Sequence, residues 1–180
     1  MDSAEEILVA VEQGEIGNMG YFIFWTSLFI AIISTPPLLV HAIERKKNSW
    51  KQGMVWIWIA GGIIALAIAL SYADVHLNTG YSNFLLHFFG GGVVSVLWWR
   101  YFNTHFLLAK TWFQDFMYVW ALVCMMGVAN ELFEFFLDST LGYQFSFDRY
   151  DTWRDLVANS LGAIVGWVST YSFEKNKSKN

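Results

Sequence analysis

Long apolar stretches separated by short polar segments dominate the pattern of this chain. Each stretch approaches the roughly 20 residues that an α-helix needs to cross a hydrocarbon core of about 30 Å. None alternates in the manner of a barrel strand. Because backbone amides find no water in lipid, helices are the expected spanning form. The pattern predicts an all-α transmembrane bundle of about five spans, at about 19–40, 53–71, 83–102, 114–137 and 153–173.

The polar flanks divide the chain into three parts. Residues 1–18 are acidic and predict an N-terminal surface segment, with an amphipathic pattern over 3–13. Residues 19–173 form the predicted bundle, and residues 174–180 read as a solvated cytoplasmic tail. No internal repeat or linker divides the bundle, so we expect one domain.

Basic residues fall on one side of the predicted bundle. They concentrate in segments 41–51 and 100–112 and in the C-terminal tail, whereas 72–82 has none and 138–152 has only Arg149. Cytoplasmic loops of membrane proteins carry the excess of Lys and Arg. The N-terminus is therefore predicted to lie outside and the C-terminus in the cytoplasm. Aromatic residues at the span ends agree, with the inner belt predicted at Trp50, Trp98, Trp99 and Trp112.

Composition supports the membrane assignment and excludes other classes. Hydrophobic residues make up 56% and charged residues 14%, whereas soluble domains carry roughly 25% charge. The net charge of −4 and the absence of a basic patch argue against a nucleic-acid partner. The single cysteine, Cys124, lies in an apolar run and is expected to be a buried thiol.

A few ionisable residues lie inside the predicted spans, where each costs about 2.5–3.5 kcal/mol. They are His87 in the third span, Glu131 and Glu134 in the fourth, and Asp155 in the fifth. With the predicted orientation all four lie toward the outer leaflet. Glu131 and Glu134 are three residues apart and share one polar stripe of their helix, and His87 and Asp155 lie on polar stripes of the other two helices. Because these stripes are costly in lipid, we expect them to face one another. Asp115, near the inner end, is expected to be a solvated acid at a helix start.

Three motifs around these residues resemble a known family. They are H-F-x-x-G at His87–Gly91, E-L-F-E at Glu131–Glu134 and R-D-L-V-A-N-S-L-G-A-I-V-G at Arg154–Gly166. Together they resemble the VanZ-like membrane proteins, with the YjdF-type inner-membrane proteins as the nearer branch. The resemblance covers about residues 85–166. It implies a multi-pass protein of the bacterial cytoplasmic membrane with a link to the cell envelope.

The first functional hypothesis is that the cluster acts on or binds a lipid headgroup or a lipid-linked envelope precursor. A histidine beside carboxylates is a typical acid–base arrangement. His87 would transfer the proton, and Glu131 and Glu134 would act as base or orienting groups. Asp155 and Asn159 would position the imidazole or the substrate. The candidate substrate-binding residues are Asn130, Asn159 and Arg154. Arg154 either meets an anionic headgroup or pairs with a neighbouring acid such as Asp151.

Two other classes of function stay open. The cluster would also suit a small proton- or ion-coupled transporter, or a non-catalytic envelope or antibiotic-binding protein. Whether the protein is an enzyme is left open. One His with three carboxylates could suit Mg or Mn, but no metal-binding spacing such as HExxH is present, so no metal ligand is assigned and the cofactor is unknown. Membrane lipids are the expected partners, and a homodimer is left open.

Overall fold

The computed structural model describes residues 26–27, 29–44, 49–77, 82–141 and 149–177, and within these ranges it contains helices and no strand. The prediction of an all-α protein is confirmed. The helices are α1 (Phe29–Glu44), α2 (Met54–Leu77), α3 (Ser82–Leu86), α4 (Val94–Phe106), α5 (Trp112–Leu141) and α6 (Arg149–Lys177), with a short 3₁₀ turn at Ser49–Lys51. The predicted surface segment 1–18 and residues 19–25 of the first predicted span lie outside the described residues. Helix α6 continues into the predicted tail as far as Lys177, and residues 178–180 are also outside.

A π-helical segment, His87–Val93, joins α3 to α4. The three consecutive pieces, of 5, 7 and 13 residues, occupy the region of the third predicted span. At the end of the π segment the Val94 N–H donates a hydrogen bond to the Phe89 carbonyl, an i to i+5 connection. Short π-helical turns are rare and occur frequently at functional sites. The apolar pattern of the sequence does not distinguish this segment from ordinary α-helix.

Helix α4 is the central helix of the bundle and contributes to two hydrophobic cores. On one side it packs against α1 and α2, in the core made of Val40, Trp56, Ile57, Ala60, Ile64, Val94, Leu97 and Tyr101. On the other side it packs against α5 and α6, in the core made of Val96, Trp99, Val119, Val123 and Ala163. The helix therefore connects the N-terminal and C-terminal halves of the described bundle.

The outside of the bundle carries many large apolar side chains, among them Leu38, Trp58, Leu132, Phe135 and Val165. An apolar surface of this extent is unusual for a soluble monomer and fits contact with lipid. Within the described residues one helical stretch, Trp112–Phe136, is long and apolar enough to cross a membrane by itself, and Phe29–Glu44 and Met54–Leu70 are shorter apolar helices. The number of spans therefore stays a prediction.

Two sequence-based expectations about α5 are wrong. Cys124 is exposed and not buried, because much of the apolar surface of this helix faces away from the rest of the bundle. Asp115 is 4% exposed. It accepts hydrogen bonds from Trp99 Nε1 at 2.6 Å, from Arg100 Nη1 at 2.7 Å and from Trp167 Nε1 at 2.8 Å.

Asp115 therefore links three helices through a buried ion pair. Arg100 is 1% exposed, and its Nε donates to the Thr170 hydroxyl at 2.9 Å. Neither Arg100 nor Trp99 lies at a solvated interface as the basic and aromatic patterns predicted. The sequence did not predict the burial of Asp115, because an acid in the first turn of a helix is usually solvated.

Helix α6 and the π segment approach each other through glycines. A Cβ added to Gly92 would lie 2.6 Å from the Asn159 carbonyl oxygen and 2.7 Å from the Gly162 Cα. A Cβ on Gly162 would overlap the Phe88 carbonyl oxygen. Backbone meets backbone here, so no side chain can move aside to make room. Small residues permit this kind of close contact between helices in membranes.

Replacing Gly92 by alanine is expected to destabilise the protein by about 1–3 kcal/mol or more, because the methyl group would overlap backbone atoms. The matched control is Gly62→Ala on α2, where an added Cβ would meet no atom within 4 Å. That control should leave stability unchanged or raise it by up to about 1 kcal/mol, since alanine favours helix. The midpoint of thermal unfolding in detergent measures both. Equal midpoints for Gly92→Ala and Gly62→Ala would contradict the proposed contact.

Removing the Asp115 carboxylate in Asp115→Ala is expected to cost about 3–5 kcal/mol, because it breaks a buried ion pair with Arg100 at 2.7 Å. The neighbouring Gln114→Ala is the control. Gln114 is exposed and accepts one hydrogen bond, from the Lys110 N–H, so its loss should cost about 1 kcal/mol or less. The same unfolding measurement applies. A loss in Asp115→Ala no larger than in Gln114→Ala would show that the ion pair contributes little.

Candidate functional site

His87 begins the π segment and points toward helix α6. Its Nε2 lies 3.2 Å from the Asp155 Oδ2, and the two side chains are 10% and 1% exposed. When Nε2 carries a proton it donates to the carboxylate, which fixes the orientation of the ring. Of the two groups that Asp155 was expected to position, the imidazole is the one that lies within hydrogen-bonding distance of its carboxylate.

Asn83 holds the other side of the Asp155 carboxylate. Its Nδ2 lies 3.1 Å and 3.0 Å from the two Asp155 oxygens, and 3.2 Å from the Asp151 Oδ1. Asn83 precedes His87 by one helical turn, so both side chains reach the same face of α6. Sequence analysis did not select Asn83. Its spacing of four residues from His87 was the available signal.

Glu131 of α5 completes a cluster with His87 and Asp155. One ligand-type atom of each residue lies within 4.8 Å of those of the other two. The Glu131 Oε1 is shielded from solvent and has no hydrogen-bond partner among the described residues. The structure thus brings together one imidazole and two carboxylates from three helical segments. We call these three residues the His–Glu–Asp cluster.

Glu134 and Asn130 lie outside this cluster. The Asn130 Nδ2 donates to the Glu134 Oε1 at 2.7 Å, a pair within one turn of α5. Both residues instead line an adjacent cavity of about 440 Å³. The sequence placed Glu131 and Glu134 together on one stripe, but the structure separates them between the cluster and the cavity.

The cavity has one polar part within a largely apolar lining. The polar part comprises Asn83, His87, Asn130, Glu134 and Asn159, together with Ser95. The apolar lining includes Phe29 and Ile32 of α1, Ile64 and Ile68 of α2, and Met126 and Phe133 of α5. Asp155 and Glu131 are not part of the lining. His87 is therefore the residue that belongs to both the His–Glu–Asp cluster and the cavity wall.

Asn159 lies beside His87 in the cavity wall and is 2% exposed. Its Oδ1 has no hydrogen-bond partner among the described residues. The amide fits against the backbone of the π segment because residue 91 is glycine: a Cβ there would overlap the Asn159 Oδ1. On the other side, a Cβ on Gly127 would lie 3.2 Å from the Asn159 Nδ2. The close packing of three helical segments thus holds an unpaired oxygen at the site.

Arg154 occupies neither the cluster nor the cavity wall. Its side chain is 47% exposed, and its Nη2 lies 3.0 Å from the Asp151 Oδ1. Of the two roles that the sequence left open for Arg154, the structure shows the pairing with Asp151. Asp151 in turn accepts a hydrogen bond from Asn83. Arg154 is therefore connected to Asp155 only indirectly, through Asp151 and Asn83.

Comparison with known proteins identifies the family. A family model described as "Predicted membrane protein (DUF2238)" matches residues 7–176. YjdF-type proteins are in this family, so that part of the resemblance is confirmed, whereas the VanZ-like part stays a prediction. No curated protein and no solved structure matches the chain. The chain belongs to the DUF2238 family of membrane proteins.

Proposed function

We propose that this protein is a multi-pass protein of the bacterial cytoplasmic membrane that binds the polar headgroup of a lipid or of a lipid-linked envelope precursor. The observation that carries the proposal is the cavity of about 440 Å³ with a polar part at His87 and an apolar lining from α1, α2 and α5. Its volume falls within the roughly 300–1,000 Å³ of small-molecule sites. An amphiphile is the class of ligand that matches both kinds of surface.

The apolar lining distinguishes this proposal from an ion-coupled transporter. A proton or a small cation needs only the polar side chains and a path of water. Phe29, Ile32, Ile64 and Ile68 offer such an ion no partner. They do offer a surface on which an acyl or prenyl chain can bury apolar area, at about 25 cal/mol per Å² removed from water.

The polar part of the cavity favours a headgroup that donates hydrogen bonds. Glu134 presents a carboxylate, and the Asn159 Oδ1 is an acceptor without a partner. A buried acceptor left unpaired costs about 1–3 kcal/mol, which an amine, amide or sugar hydroxyl of the ligand would recover. His87 would contact the same headgroup, with its ring held in place by Asp155.

The proposed topology has five spans with the N-terminus outside, which places the cavity toward the outer leaflet. Glu134 lies in the later part of α5 and Asp155 in the first turns of α6. The connection between these two helices is then external. A headgroup from the outer leaflet would reach His87 without crossing the membrane.

Filling the cavity with Ala129→Trp is expected to reduce the retention of a bound lipid at least about tenfold, a change of about 1.4 kcal/mol. Ala129 lines the cavity, so an indole there would occupy the space of the ligand. The measurement is native mass spectrometry of the full chain, released from nanodiscs made with bacterial inner-membrane lipids.

The matched control for this experiment is Ala121→Trp, because Ala121 is also an exposed alanine of α5 but does not line the cavity. The control and the wild-type protein should retain the same lipid. Glu134→Ala should change which headgroups are retained. Equal retention in the Ala129→Trp and Ala121→Trp proteins would refute the cavity as the lipid site.

The topology is tested by labelling single cysteines in a Cys124→Ala background. Ser139→Cys, near the end of α5, should react with a membrane-impermeant maleimide in intact cells. Lys110→Cys, between α4 and α5, should react only after permeabilisation. Both positions are exposed in the structure, so accessibility differs only through the membrane. The opposite labelling pattern would reverse the proposed orientation.

A further inference from the structure

We propose that His87, Glu131 and Asp155 bind one divalent transition-metal ion between the π segment, α5 and α6. One donor atom from each residue lies within 4.8 Å of the other two. Ligands of tetrahedral Zn²⁺ stand about 2.0–2.2 Å from the ion, so two of them lie roughly 3.3–3.6 Å apart. Side-chain rotations that bring the donor atoms closer by up to roughly 1.5 Å would therefore complete the coordination. The sequence contains no local metal motif because the donors come from three separate segments.

Two shielded oxygen atoms, one on a proposed ligand and one beside it, support a bound cation. The Asn159 Oδ1 and the Glu131 Oε1 are both shielded and have no hydrogen-bond partner among the described residues. Asn159 is 2% exposed and lies beside His87 in the cavity wall. Buried polar atoms are nearly always paired, so each such atom requires an explanation. A bound cation would satisfy the carboxylate directly and the amide either directly or through water.

The balance of charge at the site also favours a cation. Glu131 and Asp155 come close together in the interior of the bundle, with Asp151 behind them on α6. Among the described residues, Arg154 is a cation at the edge of this group, and its Nη2 pairs with Asp151. Asn83 donates to Asp155 but carries no charge. A divalent ion would offset the two carboxylates of the cluster, which otherwise face each other in a medium of low dielectric constant.

The donor set suggests the class of metal. Imidazole nitrogen favours zinc, iron and similar transition metals, whereas carboxylate oxygen also suits manganese. Three protein ligands with a further position open is the arrangement of catalytic zinc sites. Because His87 also lines the cavity, the ion would lie next to its polar part. This inference does not rest on lipid binding, since all three ligands are contacts of the protein itself.

The test uses the full-length protein in detergent, stripped with EDTA and then titrated with Zn²⁺ or Mn²⁺ alone. One ion per chain should bind, measured by elemental analysis after gel filtration, and the thermal unfolding midpoint should rise with ion concentration. Failure of both ions to bind at one per chain would overturn the proposal. Binding that leaves the unfolding midpoint unchanged would also overturn the proposal.

Two isosteric variants on α5, three residues apart, give the sharpest comparison. Glu131→Gln removes a ligand charge and should weaken ion binding at least about 100-fold, while its metal-free unfolding midpoint stays close to that of the wild-type protein. Glu134→Gln, outside the cluster, should bind the ion as the wild-type protein does. Ala129→Trp should also keep the ion although it blocks the cavity. Equal losses in Glu131→Gln and Glu134→Gln would refute the assignment of ligands.

Discussion

The close contact between the π segment and helix α6 is the constraint on which the rest of the site depends. Gly92 and Gly162 let the two backbones meet without side chains between them. That approach brings the His87 ring within 3.2 Å of Asp155 and seats Asn159 against Gly91. A wider separation would leave each polar group alone in an apolar interior, where it costs several kcal/mol. The glycines therefore determine whether the polar side chains can pair.

Two polar clusters lie along the third predicted span, which comprises α3, the π segment and α4. The chemistry of the two clusters differs. Arg100 lies 13 residues after His87 in the chain, beyond the π segment. Around Arg100, the Asp115 carboxylate receives three hydrogen bonds and stands in direct contact with its cation, as in a structural ion pair. Around His87, the Glu131 and Asp155 carboxylates lie close together, two shielded oxygens have no hydrogen-bond partner in the described part of the chain, and a cavity adjoins. Unpaired groups beside a cavity are the features that favour a binding site over a structural link.

The sequence was sufficient for the helical architecture and for the convergence of His87, Glu131 and Asp155, because both follow from the cost of placing polar groups in lipid. It was not sufficient for the π segment, since the i to i+5 register depends on how glycines pack against α6 and leaves no periodic signal. Asp115 was misjudged for a related reason. Its position near a helix start predicts solvation, and only the three-dimensional approach of Trp99, Arg100 and Trp167 buries it.

The imidazole of His87 takes part in both proposed sites, the headgroup cavity and the metal site. Without an ion, an Nε2 that carries the proton of a neutral ring would donate to Asp155, and the other ring nitrogen would then be a hydrogen-bond acceptor. With an ion on Nε2, that nitrogen has no proton, and the neutral ring carries it on the other nitrogen, which becomes a donor. A bound ion would therefore change what His87 offers in the cavity wall. Headgroups that donate would suit the metal-free site, and headgroups that accept, such as phosphate esters, would suit the metal-bound site.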